Sequence, residues 1–137
     1  TDWSRHSAAA TTVVVLGSVA DVVAAAEGLL AAGRPPATPI AVIAEGTTVR
    51  QRTVTCRLRE VAVTLPAADL AVTVIAVIGD PAGVPDSARW FETRPLFGWR
   101  ILVPRTKEQA SSMVARLAAH GATAEVVALR APAVEVW

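Results

Sequence analysis

Hydrophobic residues along this chain occur in short runs separated by polar turns. Residues 12–16, 39–44 and 71–78 are runs of small and β-branched apolar side chains, a pattern that predicts strands buried on both faces. Residues 53–59 instead alternate between apolar and polar side chains, which predicts a strand buried on one face only.

A helix is predicted between the first two strands. Ser18 is the expected N-cap, with Asp21 three residues later, and Gly33 followed by two prolines ends the helix. The apolar residues in between recur with helical spacing, at Val19, Val22, Val23, Ala26 and Leu30. This order of strand, helix and strand predicts an α/β fold, with strand 39–44 running parallel to strand 12–16 through a right-handed crossover.

Residues 60–70 can be interpreted in two ways. Val61 and Val63 favour a strand, whereas Pro66 interrupts any long helix. A short helix and an irregular connection both remain open for this segment.

An aromatic segment at residues 90–99 separates a second α/β pattern from the first. It contains Trp90, Trp99 and both phenylalanines of the chain. A linker whose rings dock on neighbouring surface and a direct role in chemistry both remain open. Beyond it, strand 100–103, a helix and strand 124–129 predict a βαβ unit.

The helix of this second unit has a clear start. Thr106 and Gln109 are spaced as a capping box, in which each side chain bonds the backbone of the other residue. Its apolar stripe comprises Ala110, Met113, Val114 and Leu117. We therefore expect a first domain at 1–89, a linker at 90–99 and a βαβ unit at 100–137.

Composition narrows the classes of function. A net charge of +1 with scattered Lys and Arg gives no reason to expect nucleic acid or an acidic membrane as a partner. Apolar runs of about ten residues or fewer are too short to span a bilayer, and no secretory signal is visible, so a cytoplasmic location is expected. Cys56 is the single cysteine, which excludes an internal disulfide and a multi-cysteine zinc site; it is expected to be a packed thiol, and no metal site is predicted.

The polar loop at 45–52 is the candidate ligand site. It follows the second strand, and open α/β sheets bind ligands at the carboxyl ends of strands. Gly46 would let the backbone approach a ligand closely, Thr47 offers a hydroxyl and an N–H, and Arg50 or Gln51 would reach outward. A simple glycine turn with solvated side chains is the alternative.

Two blocks of the sequence resemble known proteins. GTTVRQRTV at 46–54, preceded by AAGRP at 31–35 and TPIAV at 38–42, looks like the carboxyl-terminal lobe of the tetrapyrrole methylases, in particular the uroporphyrinogen-III C-methyltransferases. Residues 90–109 resemble the junction at which bacterial fusion proteins join this methyltransferase to uroporphyrinogen-III synthase. The resemblance implies a mixed sheet flanked by helices, followed by the first βαβ unit of the synthase.

This resemblance implies methylation of a tetrapyrrole by S-adenosylmethionine, on the route to sirohaem and cobalamin. In that family the methyl donor lies between two lobes and is held largely by main-chain groups. Matching by motif places the donor contacts of this lobe at Leu16, Gly17, Gly46 and Thr47. The family usually has Met where this chain has Leu16.

On the synthase side, the resemblance implies substrate contacts at Arg105 and Thr106. It covers a middle segment of a two-enzyme chain, so no catalytic residue is assigned and negligible activity of this segment alone is expected. The synthase, a cyclising lyase without a cofactor, is the alternative main identity. A non-catalytic α/β interaction module that pairs through its aromatic segment is a third hypothesis, and a homodimer is compatible with the sequence.

Overall fold

The structure is a computed structural model that describes residues 2–70, 73–83 and 90–127. The chain divides into two compact units, Thr1–Ala88 and Arg89–Trp137. The first unit contains strands β1 (Val13–Gly17), β2 (Pro39–Ala44), β3 (Arg52–Arg57) and β4 (Val74–Ile78), and helices α1 (Val19–Ala31) and α2 (Val61–Ala67). The second contains strands β5 (Arg100–Val103) and β6 (Thr123–Val126), and helix α3 (Lys107–Ala119).

The α/β class expected from the sequence is confirmed. In the first unit the strand order is β1-β4-β2-β3, and every neighbouring pair is antiparallel. β1 and β2 therefore run in the same direction, as expected, but β4 lies between them and pairs with both. The predicted strand 71–78 is seen from Val74 onward, and residues 71–72 lie outside the described part of the chain.

The expected burial of this sheet on both faces is wrong. Val14 and Leu16 on β1 are 62% and 72% exposed, and Ile75 on β4 is 43% exposed. The opposite face is buried and forms one core with α1 and α2, made of Val22, Ala26, Leu29, Ile40, Val42, Ala44, Leu58, Val61, Leu65, Val74, Ala76 and Ile78. An apolar run predicts a strand, but it does not reveal which face a helix covers.

The ambiguous segment at 60–70 contains a short helix. β3 ends at Arg57, earlier than predicted, because Leu58 turns into the core and begins a 3-10 turn that leads into α2. Pro66 lies in the last turn of α2, which ends one residue later, at Ala67.

The second unit is a βαβ arrangement with parallel strands, as predicted. Val103, Ala110 and Ala122 are its buried apolar side chains among the described residues. The predicted strand 124–129 is described only to residue 127, so its end lies outside the described residues. At the start of α3, the Thr106 hydroxyl accepts a hydrogen bond from the Gln109 N–H at 3.4 Å, which is the Thr106 half of the expected capping box.

The aromatic segment at 90–99 packs within the second unit. The Leu96 N–H donates to the His120 carbonyl at 2.9 Å, beside the end of α3. The Arg94 guanidinium lies 4.4 Å from the centre of the Trp90 ring and 4.9 Å from that of Phe91. The Trp90 side chain nevertheless remains 64% exposed. The segment is thus held by its own unit, while the assignment of the chain to two enzymes stays a prediction.

The amino-terminal segment contacts the rest of the first unit at two points. A β-carbon at Gly28 would overlap the Trp3 indole, so the missing side chain lets Trp3 pack on α1. Arg34 is only 1% exposed, and its guanidinium donates to the carbonyls of His6 at 2.8 Å and Thr11 at 2.6 Å. A buried guanidinium that bonds two main-chain carbonyls fixes the course of the chain into β1.

Replacing Arg34 with Ala is expected to lower the free energy of unfolding of the first unit by about 3 kcal/mol, because two carbonyls lose charged donors and a cavity is left. Urea unfolding read from the amide resonances of β2 would measure this change. Arg59→Ala is the matched control: its exposed ion pair with Glu60 predicts a change below about 0.5 kcal/mol. Equal losses in the two variants would contradict the anchoring role of Arg34.

Candidate functional site

The residues predicted to contact a methyl donor in the first unit come together at one end of its sheet. Gly17 at the end of β1 and Ala44 at the end of β2 both pair with Val74, from opposite sides. With a strand spacing of about 4.8 Å, the two strand ends lie about 10 Å apart. The Leu16–Gly17 position and the loop that holds Gly46 and Thr47 therefore share one edge of the sheet.

An apolar strip on the open face of the sheet joins these two places. Leu16 pairs with Ile75, and Ile75 pairs with Ile43, so these side chains project from the same face. A β-carbon on Gly46 would lie 3.4 Å from Cγ2 of Ile43, which places Gly46 against the far end of the strip. We call Leu16, Ile75 and Ile43 the apolar strip.

Hollows of the surface reach one end of this strip. Leu16 borders a hollow of about 440 Å³, with Trp3, His6 and Thr12 among its other lining residues. It also borders a second hollow of about 450 Å³, next to Asp21 of α1. Neither hollow includes Gly46, which lies exposed at the other end of the strip. In the described part of this unit, Leu16, Ile75 and Gly46 all lie at the surface.

The two glycines at the site lack side chains for different reasons. At Gly17 a β-carbon would lie 2.7 Å from Oδ2 of Asp21, the carboxylate that accepts hydrogen bonds from the Ser18 N–H and hydroxyl in the capping box of α1. At Gly46 a β-carbon would make only ordinary contacts, and the backbone has no positive φ there. The fold explains Gly17 but does not require a glycine at position 46.

The amino terminus of α1 is already occupied by this carboxylate. The hydrogen bonds from the Ser18 hydroxyl and N–H lower the pKa of Asp21 below its usual value, so the group stays ionised. An anionic ligand would meet that negative charge at the helix terminus. The helix terminus beside Gly17 is therefore unsuited to binding an anion.

The loop between β2 and β3 is held by its own polar groups. The Thr47 N–H donates to Oε1 of Gln51 at 2.7 Å, and the Thr48 hydroxyl donates to the Glu45 carbonyl at 2.8 Å. Arg50 pairs with the Glu45 carboxylate at 2.6 Å. The expectation that the Thr47 N–H is offered to a ligand is wrong, because Gln51 accepts it inside the loop. Of the two residues expected to reach outward, Gln51 turns into the loop, whereas the Arg50 side chain is 76% exposed and pairs with Glu45 at the surface.

Arg105 and Thr106 lie in the second unit, in the turn between β5 and α3. Both are exposed, and the Arg105 N–H donates to the Val103 carbonyl at 3.0 Å. Thr106 is the N-cap of α3. The turn thus leaves the Arg105 side chain at the surface at the carboxyl end of a parallel strand, and a role in binding substrate stays a prediction.

Sequence reasoning missed two of the three residues in the apolar strip. Ile43 and Ile75 fall in runs that predict buried strands, and no pattern in those runs marks the open face. A signal for their role exists only in the strand register, in which Ile75 pairs with Leu16 on one side and with Ile43 on the other.

Other chemistry is limited among the described residues. No three His, Cys, Asp or Glu side chains within 2–70, 73–83 and 90–127 converge in a way that could hold a metal ion. In the same part of the chain, no helix combines the length and apolarity needed to cross a bilayer. Cys56 is half-buried and borders a hollow of about 280 Å³ beside Glu60.

Comparison with known proteins finds relatives but no matching family model. A siroheme synthase from Tolumonas auensis is 39% identical over 92 residues, which cover 66% of this chain and 19% of that protein. The uroporphyrinogen-III C-methyltransferase of Bacillus subtilis is 28% identical over 121 residues, covering 88% of this chain and 25% of that protein. A porphyrin biosynthesis protein HemD from Ruminiclostridium josui is 30% identical over 95 residues, 69% of this chain and 19% of that protein.

Among solved structures, a uroporphyrin-III C-methyl transferase from Thermus thermophilus, complexed with S-adenyl homocysteine, has a TM-score of 0.48 and 28% identity over 66% of this chain and 37% of that one. The chain spans only about a fifth to a quarter of the length of its sequence relatives. The relatives support the interpretation of this chain as a tetrapyrrole methylase region.

The position of Cys56 predicts its pH dependence. Burial raises the pKa of the Cys56 thiol, the charge of Glu60 raises it further, and a hydrogen bond with Thr64 opposes both. The pKa of this thiol is higher in the folded state than in the unfolded state. Its contribution to the free energy of unfolding is therefore complete below the pKa of the unfolded thiol and is lost as the pH rises through the pKa of the folded thiol. Iodoacetamide labelling should therefore rise at a higher pH than for free cysteine.

Glu60→Gln should move that labelling curve to lower pH, since it removes the neighbouring charge and keeps the side-chain shape. Glu27→Gln, an exposed change on α1, is the control and should leave the curve in place. A labelling curve that matches free cysteine in the folded protein would contradict the effect of burial.

Proposed function

We propose that the first unit is the carboxyl-terminal lobe of an S-adenosylmethionine-dependent uroporphyrinogen-III C-methyltransferase, and that it forms one wall of the donor site. The observation that carries this proposal is the meeting of Leu16–Gly17 and Gly46–Thr47 at one sheet edge, on either side of β4. Those positions match the donor contacts that the family resemblance implies. The named relatives support a methyltransferase of the tetrapyrrole pathway.

In this proposal the apolar strip and the main chain divide the work of binding. The strip offers a flat apolar surface of about 10 Å to the nucleoside part of the donor, and its exposed Leu16 and Ile75 would lose contact with water on binding. Gly46 lets the backbone approach the ligand closely at the far end. A main-chain contact at Leu16 would be insensitive to the replacement of the family's usual Met.

The chemical contribution of this unit is to hold and orient the donor. S-adenosylmethionine, when bound, supplies an electrophilic methyl group, and the rate of transfer depends on holding that group against the acceptor carbon. We assign no catalytic residue to the described residues. The tetrapyrrole substrate and a homodimeric assembly belong to this proposal as well, with the substrate drawn from the names of the relatives.

The residue that tests the donor site most cleanly is Gly46. Gly46→Ala should fold normally, because its β-carbon meets only ordinary contacts, yet it should weaken binding of S-adenosylhomocysteine about tenfold if the ligand lies against this backbone. Gly46→Val should weaken it further. Isothermal titration calorimetry on the full-length protein measures both.

Gly83→Ala is the matched control for this test. A β-carbon at Gly83 would also make only ordinary contacts, with Pro39, and the residue lies away from the apolar strip. The control should bind the ligand with unchanged affinity. Equal affinity of Gly46→Val and the parent protein would count against the loop as a donor site.

We further propose that the second unit begins a uroporphyrinogen-III synthase domain fused to the methyltransferase. One observation favours it: the parallel βαβ arrangement that starts at Arg100. Arg105 is then a substrate-binding residue, with its guanidinium exposed for the acidic side chains of a tetrapyrrole. Thr106 lies beside it as the helix N-cap.

Arg105→Ala in the full-length protein is expected to reduce kcat/KM for ring closure at least about tenfold, since a charged contact to substrate is lost. A coupled assay for uroporphyrinogen III formation measures the rate. Arg116→Ala, an exposed arginine on α3, serves as the control and should retain the parent rate. Normal ring closure by Arg105→Ala would remove the proposed role.

A further inference from the structure

In the loop between β2 and β3, the two neighbours of a glycine adopt the left-handed backbone conformation, whereas the glycine itself does not. Thr47 has a φ of +66° and Glu45 a φ of +48°, whereas Gly46 between them has no positive φ. A left-handed conformation is unfavourable for any residue with a β-carbon and especially for a β-branched one such as threonine. Some interaction must therefore hold Thr47 in this conformation.

The hydrogen bonds of the loop identify that interaction. Oε1 of Gln51 accepts from the Thr47 N–H at 2.7 Å. Gln51 directly precedes Arg52, which pairs with Ala44 at the base of the hairpin, so the accepting side chain is attached to a regular strand. The other bond across the loop, the ion pair between Arg50 and Glu45, is largely exposed and is expected to contribute little.

We propose that Gln51 is a positioning residue of the donor site: it holds Thr47 in the left-handed conformation and thereby keeps the backbone of Gly46 open above Ile43. The hydrogen bonds described within the loop use neither the N–H nor the carbonyl of Gly46. This inference rests on the proposed function, because it concerns the same site. It adds the part of the chain that sets the shape of that site.

The physical consequence is a population effect. Without the Gln51 acceptor, Thr47 would relax toward a negative φ, and the peptide groups on both sides of it would rotate. Only the fraction of molecules that keeps the left-handed form would then bind the donor, so the apparent affinity would fall by that fraction. A glycine at position 47 would adopt the left-handed form without support and would not need Gln51.

This reasoning gives a double-mutant test. Gln51→Ala in the full-length protein should weaken binding of S-adenosylhomocysteine about tenfold. In a Thr47→Gly background, the same Gln51→Ala change should weaken binding less than about threefold. Arg50→Ala is the matched control and should leave affinity unchanged, because it removes only the exposed ion pair.

The conformation of Thr47 is read independently of any ligand. The three-bond coupling between its amide and α protons in solution reports φ, and this coupling should change in Gln51→Ala but not in Arg50→Ala. Equal losses of affinity from Gln51→Ala in the two backgrounds, or an unchanged coupling at Thr47, would overturn the positioning role.

The outcomes separate this inference from the proposed function. If Gly46→Ala leaves affinity unchanged, the donor site itself is misplaced and the proposed function of the loop fails. If Gly46→Ala weakens binding while Gln51→Ala does not, the donor site stands and the positioning role of Gln51 alone is overturned.

Discussion

The pairing of β4 with both β1 and β2 is the constraint on which the rest of the first unit depends. Val74 pairs in register with Gly17 on one side and with Ala44 on the other, so two turns that are far apart in sequence open onto the same edge. The same register aligns Leu16, Ile75 and Ile43 on one face. If β1 and β2 were direct neighbours, the turns would crowd together and leave no strip of about 10 Å between them.

The two turns at that edge are held by different kinds of interaction. The turn after β1 is fixed by a helix cap, because the Asp21 carboxylate fills the space that a side chain at position 17 would need. The turn after β2 is fixed by side chains that bond the backbone of their own loop, and it holds Thr47 in a conformation that threonine rarely adopts. Such strain persists only where surrounding interactions hold it, and it is common at binding sites.

The open face of the sheet supplies the apolar surface of the site. Helices α1 and α2 bury one face into a continuous core, while Val14, Leu16 and Ile75 on the other face remain in contact with water. Exposed apolar side chains that lie in register form a surface suited to a flat ligand, with polar backbone available only at its ends. This division between apolar contact and main-chain polarity fits a binding role better than a role in proton transfer.

Local patterns in the sequence determined the elements: the capping box at Ser18 and Asp21, the helix end at Gly33, the half-buried β3, and the βαβ order after Arg100. They also marked Gly46 and Thr47 as a loop at a strand end. Only the tertiary structure decided that β4 enters between β1 and β2, that one face stays open, and that Gln51 turns inward to Thr47. Helix caps and strand periodicity act between residues close in sequence, whereas strand order and facial burial arise from pairing between distant segments that the local pattern does not encode.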